Sequence, residues 1–579
     1  MMIERNVLVA SQNWDSGILG CFGSQAGFER GSNLSCSKFI KYMRGIVMSY
    51  ISIEKSDSRY EALKKGFNQR WPSEGAEAKA IFVCRTVDEA QKALQRAIFS
   101  GLRPTIRSGG HCYEGFVSNN PDGVIIDVGL LTELSIDETT YCVGAGNQNW
   151  DGYLNLFKLT GSAPPGGSCY SVGTGGHVVG GGYGLLSRLH GLTVDWLQAV
   201  ELLTVDSTGR VRQQLVSASN EPELFKLCRG GGGGNVGIIT SYHFDPLPKA
   251  PAQVALLFKQ YPWSQFAKDK EKFRSFLKTY SQYMKDADTD PETYGLFTLF
   301  KLTHISAGNI GLVVQYTDRN GKLDNIQPLL DLIDALDSIA ESTSVSAYIP
   351  GTGPNPITPS KQPLRVAGGE LPAGAMVYDW LYATQTVNGS GNNQRGKYKS
   401  SYMKEAFTDN EIETIFHHLV EVNPGDSDFS QSLVQVDSYG GAINHKFEGN
   451  NGFDPNANST AVFQRNSVLK LQYQTYWTDQ AQDQKHTQWL RDFFYAVHQA
   501  DGYNGTPYPE SMANPNSRYE GCYIGYPDID MLTGQVSGAP NYNWGELYYG
   551  NKYNELVAIK NKYDPGGIFQ FSMALGARP

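Results

Sequence analysis

Two glycines deliver a histidine and then a cysteine in RSGGHCYEGF, residues 107–116. Imidazole and thiol are both nucleophiles. A Gly-Gly turn lets the chain bring them against a bound group, because no side chain blocks the approach. A second cysteine, Cys169, stands in PPGGSCYSVGTGGHVVGGGYG, residues 164–184. Taken singly, His111 reads as a satisfied loop histidine, Cys169 as a small buried hydrophobe and Cys112 as a bystander. The surrounding pattern adds to this: three glycine turns, 109–110, 173–184 and 230–237, each lie beside a predicted strand. Such turns expose backbone N–H groups to anions, and three in succession predict a dinucleotide threaded between them. None is a G-x-G-x-x-G that follows a strand, opens a helix and precedes an acid by about 20 residues. A Rossmann fold is therefore not favoured.

The elements that must hold these turns are short. AKAIFVCRT reads as a buried strand. VDEAQKALQRAIFSG reads as a helix that Asp88 can cap, with Ala90, Ala93, Leu94 and Ala97 on one face and Gly101 at its end. DSRYEALKKGFNQRW, before them, also reads as helical. RPTIRSGGH is a strand running into the histidine turn, and GVIIDVG and YCVGAG are further strands. LQAVELLTVDSTGRV is a strand, a turn and a strand, and GGGGGNVGIITSYHFD is a glycine loop feeding a strand. Residues 75–244 thus read as an α+β module, and DPLPKAP marks a boundary near residue 248. Beyond it, amphipathic helices such as 265–284 and 480–499 alternate with strands such as NIGLVVQYT and SVLKLQYQTYW. The Pro/Gly-rich YIPGTGPNPITPSKQP interrupts them. The helix in YNELVAIKNKYDPGGIF stops at Asp564, ahead of Pro565. The expected division is an N-terminal extension over 1–55, a first domain over 56–248, a second over 249–510 and a C-terminal segment over 511–579.

A chain of 579 residues is too long for one core. Hydrophobic residues at 40 % and charged residues at 18 % are globular composition. The net charge of −9, with no long Lys/Arg cluster, argues against a nucleic-acid surface. No apolar run reaches about 18 residues, so no membrane span is expected. The 33 tyrosines and nine tryptophans suit a large core or an aromatic-lined pocket for a ring-shaped ligand. The cysteines, at 21, 36, 84, 112, 142, 169, 228 and 522, form no CxxC pair, so neither zinc nor a disulfide framework is signalled. Glycosylation sequons begin at Asn33, Asn388, Asn458 and Asn504, about the number chance supplies. No secretion signal is legible in the first fifty residues, which leaves the localisation open, with the cytoplasm favoured over secretion.

RSGGH, GSCYSVGTGGHVVGGGYGLLSRLHGLTVDWLQAVELLTVD, LCRGGGGGNVGIIT and YNELVAIKNKYDPGGIF occur in that order. They resemble the berberine-bridge-enzyme-like branch of the vanillyl-alcohol-oxidase flavoprotein superfamily. The resemblance covers residues 57–579 and looks most like the branch's bacterial sugar, oligosaccharide and antibiotic-tailoring oxidases. It implies an α+β fold: a two-part FAD-binding domain of the PCMH type and an antiparallel-sheet substrate domain flanked by helices. It implies FAD attached twice, through His111 to the flavin 8α-methyl and through Cys169 to the flavin C6 carbon. The same resemblance runs the cofactor contacts through Arg107, Ser108, Gly109, Gly110, Val172, Gly173, Gly175, Gly176, Gly184, Asn235, Gly237 and Ile238. Val172 matches the small residue over the flavin face that admits oxygen. No metal is implied.

YIGYPDIDM, residues 523–531, resembles the family's Y-x-N-Y-x-D-x-D segment, which makes Tyr526 the catalytic tyrosine. Gly525 replaces the usual Asn, a departure expected to loosen the loop. Tyrosine, with a pKa near 10, is a poor base at neutral pH and needs help from a cation, the oxidised flavin or a hydrogen-bonded carboxylate. In VQVDSYGG, residues 434–441, Asp437 and Tyr439 alternate and so share one face of a strand. Both match positions that the family's oxidases use beside the substrate. Core packing for Tyr526 and a surface role for Asp437 are the rival readings. Gln464 stands where many relatives have His, and Met573 where Gln is frequent. The implied activity is an FAD-dependent oxidase that takes an alcohol carbon of a sugar, oligosaccharide or glycosylated natural product to a carbonyl and gives hydrogen peroxide. A dehydrogenase, an oxidative-cyclisation enzyme and a non-catalytic flavin-binding protein are the alternatives. The expected partners are a small alcohol and molecular oxygen, with no nucleic acid or membrane, for a monomer or weak homo-oligomer.

Overall fold

The histidine turn stands at the end of a four-stranded sheet. Its strands are β1 (Ile51–Glu54), β2 (Ala80–Val83), β3 (Arg103–Arg107) and β4 (Gly123–Asp127), in the order β1-β2-β4-β3. β2 and β3 run parallel to β4, and β1 pairs antiparallel with β2. The computed structural model describes residues 50–344, 365–389, 393–446, 453–510, 516–532 and 543–577. β1 falls inside the segment expected as an extension, because Ile53 is buried with Ile81 and Ile125. α1 (Val87–Phe99) buries Ala90, Ala93, Leu94 and Ala97, as its periodicity predicts. Its N-cap is Thr86, whose side chain accepts from Glu89 N, rather than Asp88, which lies in the first turn. The helix expected over 57–71 shrinks to the single turn Tyr60–Leu63. The chain leaves it to meet the histidine turn: Phe67 N donates to Gly110 O at 2.8 Å, and a Cβ on Gly66 would stand 2.6 Å from that oxygen.

A second sheet holds β5 (Leu134–Ile136), β6 (Tyr141–Gly144), β7 (Leu197–Val205), β8 (Val211–Ser217) and β9 (Ile238–Phe244), all antiparallel, in the order β5-β6-β9-β7-β8. Leu203, Val205 and Ile238 share a core with Val124, Ile126 and the apolar face of α1. This is an α+β arrangement, not a doubly wound parallel sheet.

The third sheet is antiparallel and eight-stranded. It contains β10 (Val254–Pro262), β11 (Leu296–Thr303), β12 (Asn309–Tyr316) and β13 (Thr343–Ser344). A separate two-stranded pair, β14 (Arg365–Val366) and β15 (Gly369–Glu370), precedes β16 (Met376–Tyr378). β17 (Arg395–Met403), β18 (Leu433–Ser438) and β19 (Leu469–Trp477) complete the large sheet. The order is β13-β10-β12-β11-β18-β19-β17, with β16 on β10. Side chains alternate across it. Phe300 packs on Phe276 and Tyr280 of α2 (Lys270–Asp286), and α3 (Gln327–Asp337) packs on α2. Tyr473 packs on Phe493 and Phe494 of α4 (Asp483–Val497). The intervening residues, such as Leu299, Lys301, Gln435, Asp437 and Gln472, therefore face away from the helices.

The C-terminal segment returns to the first two sheets. In α5 (Tyr553–Tyr563), Glu555 pairs with Lys226 at 2.7 Å, and Lys560 Nζ donates to Phe569 O at 2.7 Å. Residues 348–363, Asn33, Cys21 and Cys36 lie outside the described residues. Among the described residues no helix is long and apolar enough to cross a membrane.

Candidate active site

A cavity of about 700 Å³ separates the glycine turns from the third sheet. Arg107 ends β3 with its Nε 2.7 Å from Asp127 Oδ2, and Ser108 Oγ donates to Ala145 O at 2.7 Å. The turn that follows needs glycine: Gly110 has φ +75°, and a Cβ on Gly109 would fall 2.3 Å from Gly173 N. Gly109 and Gly173 can approach this closely only because neither has a side chain. Gly173, Gly175, Gly176, Gly184 and Gly237 line the same wall. Asn235, also on it, closes the third turn by donating to Gly231 O at 3.0 Å and Gly232 O at 3.1 Å. Ile238 is the exception. It is fully buried in the core behind the wall, and Gly237 and Ile239 line the cavity instead.

His111 and Cys169 both open onto this cavity. His111 Nε2 lies 2.9 Å from Ser171 Oγ, two residues past Cys169, and its ring stacks on Phe67 at 4.4 Å. Burial pushes its pKa down to about 4, so the imidazole is neutral at pH 7 and keeps a nucleophilic lone pair. Cys169 is held by its backbone: Asn149 Nδ2 donates to Cys169 O at 3.0 Å, and Tyr170 N donates to Asn388 Oδ1 at 3.0 Å. Val172 N donates to Cys169 O at 3.3 Å, and Val172 lines the cavity beside it. A wall of side-chain-free backbone, with an uncharged imidazole and a thiol at one end, fits a flavin dinucleotide.

The sheet supplies the opposite wall. Asp437 is fully buried there and accepts from Lys470 Nζ at 3.1 Å, Gln435 Nε2 at 2.8 Å and Gln472 Nε2 at 2.5 Å. The Lys470 ammonium also lies 4.5 Å from the centroid of the Tyr526 ring and 4.7 Å from that of Tyr183. Burial, and then the Asp437 charge, push the Tyr526 hydroxyl pKa up. The cation over its ring opposes them by favouring the phenolate. Burial pushes the Lys470 pKa down, and Asp437 holds it up.

The loop carrying Tyr526 is anchored by ion pairs. Asp528 meets Lys397 and Lys399, each at 2.6 Å, and Asp530 meets Lys399 at 2.9 Å and Arg491 at 2.7 Å. Lys397 also pairs at 2.5 Å with Glu114, three residues past His111, and so joins the histidine turn to the tyrosine loop. Gly525 is closely packed in that loop. A Cβ there would fall 2.5 Å from the Tyr523 ring, which packs edge-on to Tyr526 with centroids 5.0 Å apart.

Tyr439 is not brought to the cavity. β18 ends at Ser438 and Gly440 has φ +84°, so the alternation that would keep Tyr439 on the Asp437 face stops. Its buried hydroxyl donates to Gln464 O at 3.1 Å. The Gln464 amide donates to the carbonyls of Glu520, Cys522 and Tyr548, each at 3.1 Å, and braces the tyrosine loop from behind. Met573 does line the cavity. Sequence reasoning missed Lys470, Lys301 and the glutamines. Their signal is period-two polarity in otherwise apolar strands: Lys470, Gln472 and Gln474 alternate with Leu471 and Tyr473.

A glycine-lined wall facing a sheet that carries a lysine and a carboxylate, with a tyrosine on the adjoining loop, fits a flavin-dependent oxidoreductase. Residues 78–213 match the FAD binding domain family, and residues 522–575 match the family described as berberine and berberine like. The chain is 37 % identical over 533 residues to hexose oxidase of Chondrus crispus, spanning 89 % of this chain and 93 % of that protein. It is 31 % identical over 557 residues to aclacinomycin-N/aclacinomycin-A oxidase of Streptomyces galilaeus, spanning 92 % and 91 %. The solved structure of the glycopeptide hexose oxidase DBV29 complexed with teicoplanin superimposes with a TM-score of 0.76 at 27 % identity, over 92 % of this chain and 99 % of that one. The chain belongs to the berberine-bridge-enzyme-like family of FAD-dependent oxidases, with a PCMH-type FAD-binding domain.

Proposed function

We propose that the protein oxidises an alcohol carbon of a sugar, free or within a glycoside, to a carbonyl. FAD would accept the hydride, and molecular oxygen would take the electrons as hydrogen peroxide. The observation that carries this reading is the opposition of two walls across one cavity: glycine turns with His111 and Cys169 on one side, Tyr526 and Asp437 on the other, with Lys470 buried against both. His111 would hold the cofactor at its 8α-methyl and Cys169 at its C6 carbon, and the neutral state of His111 supports the first bond.

Tyr526 removes the hydroxyl proton as the carbon gives up its hydride. Its hydroxyl pKa, raised by burial, makes it a weak base alone, so the base is Tyr526 together with the Lys470 cation. Asp437 acts one step further back. It holds the Lys470 ammonium, and with Gln435 and Gln472 it presents a polar surface suited to a polyhydroxylated substrate. Val172, beside Cys169, would shape oxygen access. Anaerobic mixing with a panel of hexoses and oligosaccharides tests the reading: a sugar should bleach the flavin absorbance, and admitting air should restore it with peroxide release. A flavin that no alcohol bleaches would overturn it.

A further inference from the structure

Lys301 is the cationic side chain of the cavity that the chemistry above does not use. It lies on β11 directly opposite Gln435, which lies opposite Gln472, so the three form one row across the sheet. Asp437 stands one step along, opposite Leu299. Lys301 lines the cavity half-buried, and among the described residues its ammonium makes no hydrogen bond or ion pair.

The other charged groups of the cavity are settled. Arg107 pairs with Asp127. Asp437 is satisfied by Lys470 and two amides. His111 and His177 are neutral, both held near pKa 4 by burial. The amides of Gln435 and Gln472 each donate to Asp437, and that of Gln474 to Gln472 Oε1. These glutamines hold one another in a comb, and Lys301 is the charged donor left over. Removing a cation from water with no counter-ion is unfavourable, and a wall that met only hydroxyl groups would be served by another glutamine. Burial lowers the Lys301 pKa, and Asp437 and Cys169 are the charges that oppose this. Lys301 thus lines the cavity one register step from Asp437, on the wall opposite the glycine turns.

We infer that the substrate is an anionic sugar, with a carboxylate or sulfate ester on a carbon away from the one oxidised, and that Lys301 selects it by pairing with that anion. This rests on the sugar-oxidase reading and narrows it. The holoenzyme is titrated without oxygen with glucuronate, glucose 6-sulfate, glucose and the neutral isostere glucuronamide. Perturbation of the flavin absorbance and the shift in Tm are followed, so binding is read with or without turnover.

A charge-assisted hydrogen bond predicts that an acidic sugar binds about 10- to 100-fold more tightly than glucose or glucuronamide at low ionic strength. The preference should shrink with salt. It should collapse in Lys301→Met and persist in part in Lys301→Arg, and the glucuronate and sulfate arms distinguish the two anions. Equal binding of charged and neutral sugars overturns the inference, as does a preference that survives Lys301→Met. A Lys301→Met flavin spectrum already altered without ligand also overturns it, by assigning the lysine to the cofactor. Perturbation by neutral sugars alone sinks this inference and leaves the sugar reading standing, whereas no response to any sugar sinks both.

Discussion

The Lys470 ammonium sits 4.5 Å from the centroid of the Tyr526 ring and 3.1 Å from Asp437 Oδ2. The tyrosine and the carboxylate therefore communicate through a cation. An Asp437 charge acting alone would raise the Tyr526 pKa and oppose proton removal. Spent on Lys470, it would keep charged the group that the proposed mechanism uses to stabilise the phenolate. On the proposed mechanism Asp437 is a positioning residue, and Lys470 supplies the help that a tyrosine base requires.

Tyr526→Phe should slow anaerobic flavin reduction by ~10²–10⁴ with flavin content intact. Lys470→Met should cost less, since a desolvated cation over an aromatic ring is worth about 2 kcal/mol. It should also move the rising limb of the rate–pH profile to higher pH, because losing the cation raises the Tyr526 pKa further. The double variant should be little worse than Tyr526→Phe alone, as expected of groups acting as a unit. Stopped-flow reduction over a pH series measures this. An unmoved limb in Lys470→Met would detach the lysine from the proton transfer.

Denatured protein should stay yellow, with its mass raised by one FAD, and His111→Ala or Cys169→Ala should each leave the other bond. The depressed His111 pKa adds a pH test. An ordinary histidine, with a pKa near 6.5, would be mostly protonated at pH 5.5. At about 4, His111 stays neutral there, so covalent incorporation of added FAD into apoprotein should run at similar rates from pH 8 down to 5.5. A tenfold fall over that range would contradict the neutral imidazole. Release of all the flavin on acid precipitation would contradict the attachment.

The cofactor wall was legible because its devices are local. A Gly-Gly turn, a helix with alanines at helical spacing and a helix stopped before proline are each written in a few adjacent residues. The acid–base wall depends on cross-strand register. Lys470 gains its proposed role from lying opposite Asp437, and Lys301 from lying opposite Gln435. Nothing within either strand states those pairings. Tyr439 failed for the reverse reason: its alternation with Asp437 is real in sequence, but the strand ends between them. The 57–71 segment keeps its helical periodicity for one turn, then yields to the backbone contact between Phe67 and Gly110.

Val172→Leu should slow reoxidation of the reduced flavin by oxygen and leave anaerobic reduction nearly unchanged. The side chain lines the cavity beside the Cys169 loop, so added bulk there should meet oxygen before it meets a substrate held, as proposed, on the sheet side. Separate stopped-flow measurements of the two half-reactions decide this. Equal losses in both would indicate a disturbed 169–172 loop.

Gly525→Asn should destabilise the holoenzyme by about 1–3 kcal/mol, the usual cost of overpacking. Its Cβ would fall 2.5 Å from the Tyr523 ring, and that ring is buried against Tyr526. Thermal unfolding should show a lower Tm, and flavin reduction should slow because Tyr526 moves with its neighbour. A Gly525→Asn enzyme with unchanged Tm and rate would mean that the loop has slack the packing does not suggest.

Lys397→Met tests whether the histidine turn and the tyrosine loop are held by one buried charge. Lys397 is 2 % exposed and pairs with Glu114 and Asp528. Asp528 keeps Lys399 when Lys397 is lost, but among the described residues Glu114 keeps only the Ile529 N–H at 3.3 Å on Oε1, and its Oε2 is buried without a hydrogen bond there. Breaking a buried pair from one side leaves an uncompensated charge and costs about 3–5 kcal/mol. The variant should therefore unfold at markedly lower temperature. Adding Glu114→Gln should recover part of the loss, because the stranded carboxylate is removed. Flavin reduction should stay slow in the double variant, since the link from Glu114 to Asp528 that fixes the Tyr526 loop is still missing. Full recovery of rate along with stability would show that the charge serves the fold alone. A Lys397→Met enzyme as stable as the unmodified protein would remove the network from both roles.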